Sequence, residues 1–118
     1  MEENKICTID LSEYRVKLGN NISKVFTGRD RGEEVRKKSK IDDLEKRYST
    51  INIEIPQDIY SINPSFLEEF LVNVVSRLGK DNFMSKFHFK SLGTYDISEP
   101  LNQAVDRILK EKNALGKR

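Results

Sequence analysis

The strongest periodic signal lies in the middle of the chain. Leu67, Phe70, Leu71, Val74, Val75 and Leu78 recur at the i, i+3, i+4, i+7 spacing that gathers apolar side chains on one helical face. Residues at both ends mark its limits. Pro64 keeps the residue before it out of the helical region, and Ser65 with Glu68 three positions later predicts a capping box. Gly79, directly after Leu78, predicts a left-handed C-cap.

Other stretches alternate. Over Ser49 to Ile55, Ile51, Ile53 and Ile55 oppose Thr50, Asn52 and Glu54, the period-two pattern of a strand with one covered face. Cys7, Ile9 and Leu11 oppose Thr8 and Asp10; Tyr14, Val16 and Leu18 oppose Arg15 and Lys17. These read as two short strands in a hairpin joined near Ser12-Glu13, with a turn at Gly19-Asn20-Asn21. After a linker at Lys80-Asp81-Asn82, Phe83 to Ser91 reads as a strand, with Phe87 and Phe89 opposing His88 and Lys90. Glu33 to Tyr48 is rich in helix formers with acids before bases, as the helix dipole favours. It predicts a mostly exposed helix, broken near Ser39-Lys40, where Ser39 and Asp42 suggest a second cap. Ser98 caps a last helix with Pro100 in its first turn. Its buried stripe is Leu101, Ala104, Val105, Ile108 and Leu115, and it ends at Gly116-Lys117-Arg118. Met1 to Lys5 is polar and reads as frayed. Helices that alternate with one-sided strands predict an α/β fold, a two-layer sandwich with a mixed sheet of about four strands and the helices on one face.

Composition narrows the function classes. The 118 residues suit one domain, 1–118, with a core over about 5–115. Lys and Arg number 21 against 19 Asp and Glu, a net charge of +2, which argues against a dedicated nucleic-acid binder. The basic run Arg36, Lys37, Lys38, Lys40, Lys46 and Arg47 is broken by Asp42, Asp43 and Glu45 and reads as a solvated helix face. Cys7 is the single cysteine, so neither an internal disulfide nor a cysteine-rich zinc site is expected. No signal peptide and no apolar run of about 18 residues is present, so the expectation is a cytoplasmic protein without a membrane segment. Cys7 reads as a buried, inert thiol, and His88, the only histidine, falls on the polar side of its strand. Without a catalytic constellation the chain reads as non-enzymatic, with no cofactor and no metal.

Two candidate sites stand out. Gly28-Arg29-x-x-Gly32-x-x-Val35-Arg36, the isoleucine-rich strand and Ile62-Asn63-Pro64-Ser65-Phe66-Leu67-Glu68-Glu69-Phe70 together resemble the bacterial STAS-like domain family of unknown function, over roughly residues 25–90. That family is taken to be a variant of the STAS domain of anti-sigma-factor antagonists. In those antagonists a serine or threonine at the start of the helix after a central strand is phosphorylated by a partner kinase of the histidine-kinase-like ATPase class, which breaks the complex between the two. The resemblance implies Ser65 as that position and Ser61 as a weaker second, with Asn63 and Phe66 completing a docking turn. The expectation is a regulatory protein–protein interaction module of a bacterium or phage, docking on a kinase, ATPase or similar signalling partner through residues 61–70. Self-association through the open sheet face or a strand edge is a further expectation. The alternative is a phosphate- or nucleotide-binding domain that holds its ligand between Arg29, Arg31 and Gly32 and the helix start at Ser65.

Overall fold

The computed structural model describes residues 5–116. Of the frayed start expected over Met1 to Lys5, residues 1–4 lie outside the described residues, while the Lys5 carbonyl is held by the Ser49 and Thr50 N–H groups. The chain end at 117–118 and the side chains of Leu18 and Leu115 also lie outside them. The chain enters strand β1 (Ile6–Asp10), makes a short 3-10 helix (Leu11–Tyr14), and continues through β2 (Lys17–Leu18), β3 (Asn21–Ile22) and β4 (Val25–Phe26). Helices α1 (Arg29–Ser39) and α2 (Ile41–Arg47) follow, then β5 (Thr50–Ile55), β6 (Ser61–Ile62), α3 (Pro64–Lys86), β7 (Phe87–Ser91) and α4 (Ser98–Gly116).

The principal sheet runs β1-β5-β7 and is parallel throughout, with Ile9 beside Ile53 and Ile53 beside Phe89. Two small ladders stand apart from it, β2 antiparallel to β3 and β4 parallel to β6. The sheet therefore has three strands of one direction, not about four of mixed direction. The N-terminal hairpin is absent because Asp10 ends β1. Its carboxylate accepts the Ser12 N–H at 3.0 Å and starts the 3-10 turn that carries the chain out of the sheet. The alternation at Tyr14 to Leu18 resolves instead into β2, which hairpins with β3 across Gly19 and Asn20.

The alternation of β5 survives in space. Ile51, Ile53 and Ile55 are fully buried, whereas Thr50, Asn52 and Glu54 are half-buried. On the flanking strands Ile9 and Phe87 are buried and Thr8, His88 and Lys90 exposed. Cys7 is half-buried rather than enclosed, and desolvation pushes its thiol up, away from the reactive thiolate.

α3 supplies the centre of the core and packs against both α1 and α4. Leu67, Phe70, Leu71, Val74 and Val75 are buried along it, as the stripe required, while Leu78 at its end is half-buried. It does not stop at Gly79. That residue adopts φ 81°, ψ 168°, a conformation open to glycine but far from the left-handed helical ψ of about 47° that a C-cap needs. The chain kinks there and resumes as helix to Lys86, with the Asn82 side chain donating to the Leu78 carbonyl at 3.1 Å. Residues 80–86 are thus helical rather than linker and strand. Phe83 lies buried on this last turn, its ring 4.8 Å from that of Phe87.

The break expected near Ser39-Lys40 falls at Lys40, which takes a left-handed conformation (φ 60°, ψ 36°) between α1 and α2. Ser39 does not cap α2; its hydroxyl turns back to the Arg36 carbonyl at 3.4 Å. Nor is this region mostly exposed: Val35, Ser39, Ile41 and Glu45 are buried. α4 buries Leu101, Ala104, Val105 and Ile108 as its stripe predicted. Its start is held by Asp96, which accepts the Ser98 N–H at 2.9 Å, rather than by Ser98 as cap. The same serine, through hydroxyl and N–H, holds the Asp96 carboxyl below the ordinary carboxylate range. Among the described residues no helix is long and apolar enough to cross a membrane.

Candidate interaction site at the start of α3

The turn that opens α3 is built from short-range bonds. Asn63 is its N-cap: its side-chain oxygen accepts both the Ser65 N–H and the Ser65 hydroxyl at 2.9 Å. Its backbone carbonyl accepts the N–H groups of Phe66 at 3.0 Å and Leu67 at 3.3 Å. Pro64, at the first helical position, has no N–H to offer. Ser65, expected at the N-cap, therefore stands two positions inside it, and the capping box with Glu68 does not form. Serine and asparagine are near-equal caps, so the sequence alone did not separate them.

The donors of this first turn are all engaged within the chain, so an anion approaching it meets none free. That bears directly on the ligand reading. Arg29 donates to Glu68 at 2.9 Å and lies 3.5 Å from Glu69; Arg31 pairs with Glu34 at 2.9 Å. These charges are already matched. The depression of about 490 Å³ that Arg29 and Arg31 border also contains Asp30 and Glu34. Gly32 does not face that depression. It is buried where α1 crosses α3, and a Cβ there would fall 2.3 Å from the Phe66 carbonyl oxygen.

Of the residues expected to make the docking turn, Asn63 is exposed and Ser61 and Ser65 are half-buried. Phe66 is a correction. It is fully buried, its ring 5.1 Å from Phe26 and 5.6 Å from Phe70, so it anchors the turn from below and offers no contact surface. The exposed aromatic is Tyr60, with 69% of its surface open to solvent. The spacing of Ile59 and Ile62 around it, three apart and both buried, marked the segment as apolar without showing that the tyrosine between them points outward.

Two further contacts fix this segment. The Tyr95 hydroxyl accepts the Ile62 N–H at 3.1 Å and donates to the Ile62 carbonyl at 3.2 Å, doing for β6 what a neighbouring strand would do. Arg15, its side chain only 9% exposed, grips both oxygens of Asp58 at 2.9 and 3.0 Å and donates to the Ser23 carbonyl at 2.9 Å. This fork holds the Asp58 carboxyl below the ordinary carboxylate range. Neither contact has a sequence signal, because the partners lie 33 and 43 residues apart.

Behind the turn, two buried carboxylates tie the helices together. Glu68 receives Arg29 from α1 and Arg107 from α4, each at 2.9 Å. Glu45 receives Lys86 at 3.0 Å and also pairs with Arg77. These are structural pairs, since every carboxylate oxygen of Glu68 faces a guanidinium already committed to it. The remaining chemical candidates are dispersed: Cys7 on β1 and His88 on β7 are separated by the whole of β5. Among the described residues no group of three His, Cys, Asp or Glu side chains comes together as a metal site would require. Comparison with protein-family models, with curated proteins and with solved structures finds no match for the chain.

Proposed function

We propose that this chain is a protein–protein interaction module, a two-layer α/β sandwich of STAS-like type working in the cytoplasm, whose partner docks on the turn at residues 60–65. The observation that carries the reading is the exposure of Tyr60 on a segment that is otherwise immobilised. An aromatic side chain at 69% exposure offers apolar area that a partner can bury. Here it stands on backbone pinned by Tyr95, Asn63 and the buried Phe66. A rigid aromatic with few rotamers loses little entropy on binding, which is why such residues dominate interface energies. The resemblance of the turn to the STAS-like family suggests a signalling partner of the kinase or ATPase class. The ligand-binding alternative draws no support from a helix start without free donors and arginines already paired.

The test is differential capture from the native host. Wild type, Tyr60→Ala and a control altered on the exposed side of α4, Lys110→Ala, are immobilised and the retained proteins quantified by mass spectrometry. A protein held by wild type and the control but reduced at least tenfold by Tyr60→Ala supports the reading. With that protein purified, Tyr60→Ala should weaken binding by about 2 kcal/mol or more, roughly thirtyfold. Identical protein sets on all three baits would reject the turn as the docking site.

A further inference from the structure

β7 is an edge of the three-stranded sheet: β5 pairs with it on one side, and among the described residues no strand pairs with it on the other. Two bonds fix the direction of its backbone groups. The Leu92 N–H donates to the Ile55 carbonyl on β5 at 2.9 Å, while the Phe87 N–H turns to the Phe83 carbonyl of α3. Backbone groups of alternate residues point to opposite sides of a strand. His88, Lys90 and Leu92 therefore address β5. Phe89 and Ser91 present both N–H and C=O, and Phe87 its C=O, to the free edge. No turn or loop bond among the described residues engages them.

Edges of this kind are usually blunted by a proline, a bulge, a covering loop or a charged side chain, and β7 carries the charged Lys90. The sequence Phe87-His88-Phe89-Lys90-Ser91 contains no proline and runs in unbroken register with β5. Beside the edge, between β7 and the start of α4, lies a cavity of about 320 Å³. Phe87, Phe89, Ile97 and Leu101 supply its apolar lining, and Met84 stands at its rim, 39% exposed. A strand added in the plane of the sheet would send alternate side chains into this space.

We infer that the added strand is the β7 of a second copy of this chain, paired antiparallel about a twofold axis at Phe89. In that register Phe89 meets Phe89 as a hydrogen-bonded pair, each donating to and accepting from the other. Phe87 meets Ser91, so the free Phe87 carbonyl receives the Ser91 N–H, the donor it lacks within its own chain. The side chain of the second copy's Phe89 falls on the same side as Phe87 and enters the cavity. On the opposite face Lys90 stands beside His88 rather than beside another lysine. The match of apolar to apolar, acceptor to donor and cation to imidazole is self-complementary, the condition for an isologous dimer. It makes one sheet of six strands and pairs no residue of the turn at 60–65, so it stands or falls independently of the docking turn.

Analytical ultracentrifugation of wild type from about 1 µM to about 1 mM tests the pairing, a range that brackets a weak edge-to-edge dimer. The expected result is a concentration-dependent species of twice the 13.7 kDa chain mass. His88→Asp places an acid beside Lys90 twice per dimer and should tighten association by roughly threefold to tenfold; His88→Lys should loosen it by a similar factor. The double variant His88→Lys with Lys90→Glu should restore it. His88 and Lys90 are exposed, so circular dichroism should show all variants folded. A monomer at every concentration would overturn the inference. So would a dimer that both His88 substitutions leave unchanged or shift in the same direction, because the interface would then lie elsewhere.

Discussion

Gly32 lies inside α1, where exchange for alanine would normally stabilise a helix by about 1 kcal/mol. Packing gives the opposite sign. A Cβ at this position would stand 2.3 Å from the Phe66 carbonyl oxygen, 2.9 Å from the Glu69 Cβ and 3.1 Å from the Phe70 nitrogen. Two of these atoms are backbone of α3, so no flexible side chain can yield and the helices must separate. Overpacking of this kind costs typically about 1–3 kcal/mol and occasionally more. Separation would also stretch the Arg29–Glu68 pair, 2.9 Å long, and the Arg36 contact to Glu69 that join the two helices. The close backbone approach puts the cost at the upper end, so Gly32→Ala should lose about 2 kcal/mol net of the propensity gain. With a urea m-value of about 1–3 kcal/mol/M, the unfolding midpoint should fall by roughly 1 M. Urea titration followed by circular dichroism measures this directly. A midpoint equal to or above that of wild type would refute the close approach of α1 to α3.

Two other residues give separate tests. Tyr95→Phe removes the hydroxyl that serves both backbone groups of Ile62, a residue only 1% exposed, and should cost about 1–3 kcal/mol. Hydrogen exchange at the Ile62 amide should accelerate, and unchanged protection would mean that another group holds β6. Asp58→Asn tests the fork with Arg15 through pH. The Asp58 carboxyl is held below its ordinary value, so its contribution is complete above the unfolded value of about 3.9 and disappears as pH falls through the lower folded value. Urea midpoints of wild type and Asp58→Asn should therefore differ at neutral pH and converge in acid; a difference that persists there would exclude the carboxylate as its source.

The sequence carried the elements whose stability comes from one buried face. The stripe of α3 up to Val75, the alternation of β5 and the positions Leu101, Ala104, Val105 and Ile108 of α4 bury what their periodicity said they would. It failed where a single residue decides between two local continuations. Gly79 was compatible with a cap or a kink, and only the ψ the chain takes there separates the two. The bond from Ser12 to Asp10 turned an apparent hairpin into a parallel edge strand, and nothing in the alternation of Tyr14 to Leu18 registers that change of partner. Phe66 reads as part of a recognition turn by its neighbours and as core by its contacts. The features that give the candidate site its shape were illegible for another reason. Tyr95 on Ile62, Arg15 on Asp58 and Glu68 between Arg29 and Arg107 are pairings across more than thirty residues, set by topology rather than by spacing.

Ser65 shows how the observed cap changes a functional argument. A negative charge one residue inside a helix start gains about 0.3–1 kcal/mol from the dipole. That gain supposes amide donors turned toward it, and at α3 they are taken by Asn63. The Ser65 hydroxyl is itself a donor to the Asn63 side-chain oxygen at 2.9 Å, so an aspartate or a phosphate there would set an acceptor against an acceptor. To relieve it Asn63 must turn away, and loss of an asparagine cap costs about 0.5–2 kcal/mol. The loss exceeds the gain. Ser65→Asp should therefore lower the melting temperature below that of Ser65→Ala, which forfeits only the hydroxyl bond; a melting temperature for Ser65→Asp above wild type would show the first turn free to receive an anion. If the order holds, modification of Ser65 would act on a partner by unseating the turn under Tyr60 rather than by adding charge to its surface. Tyr60→Ala, which leaves every bond of the cap in place, is then the substitution that separates docking from folding.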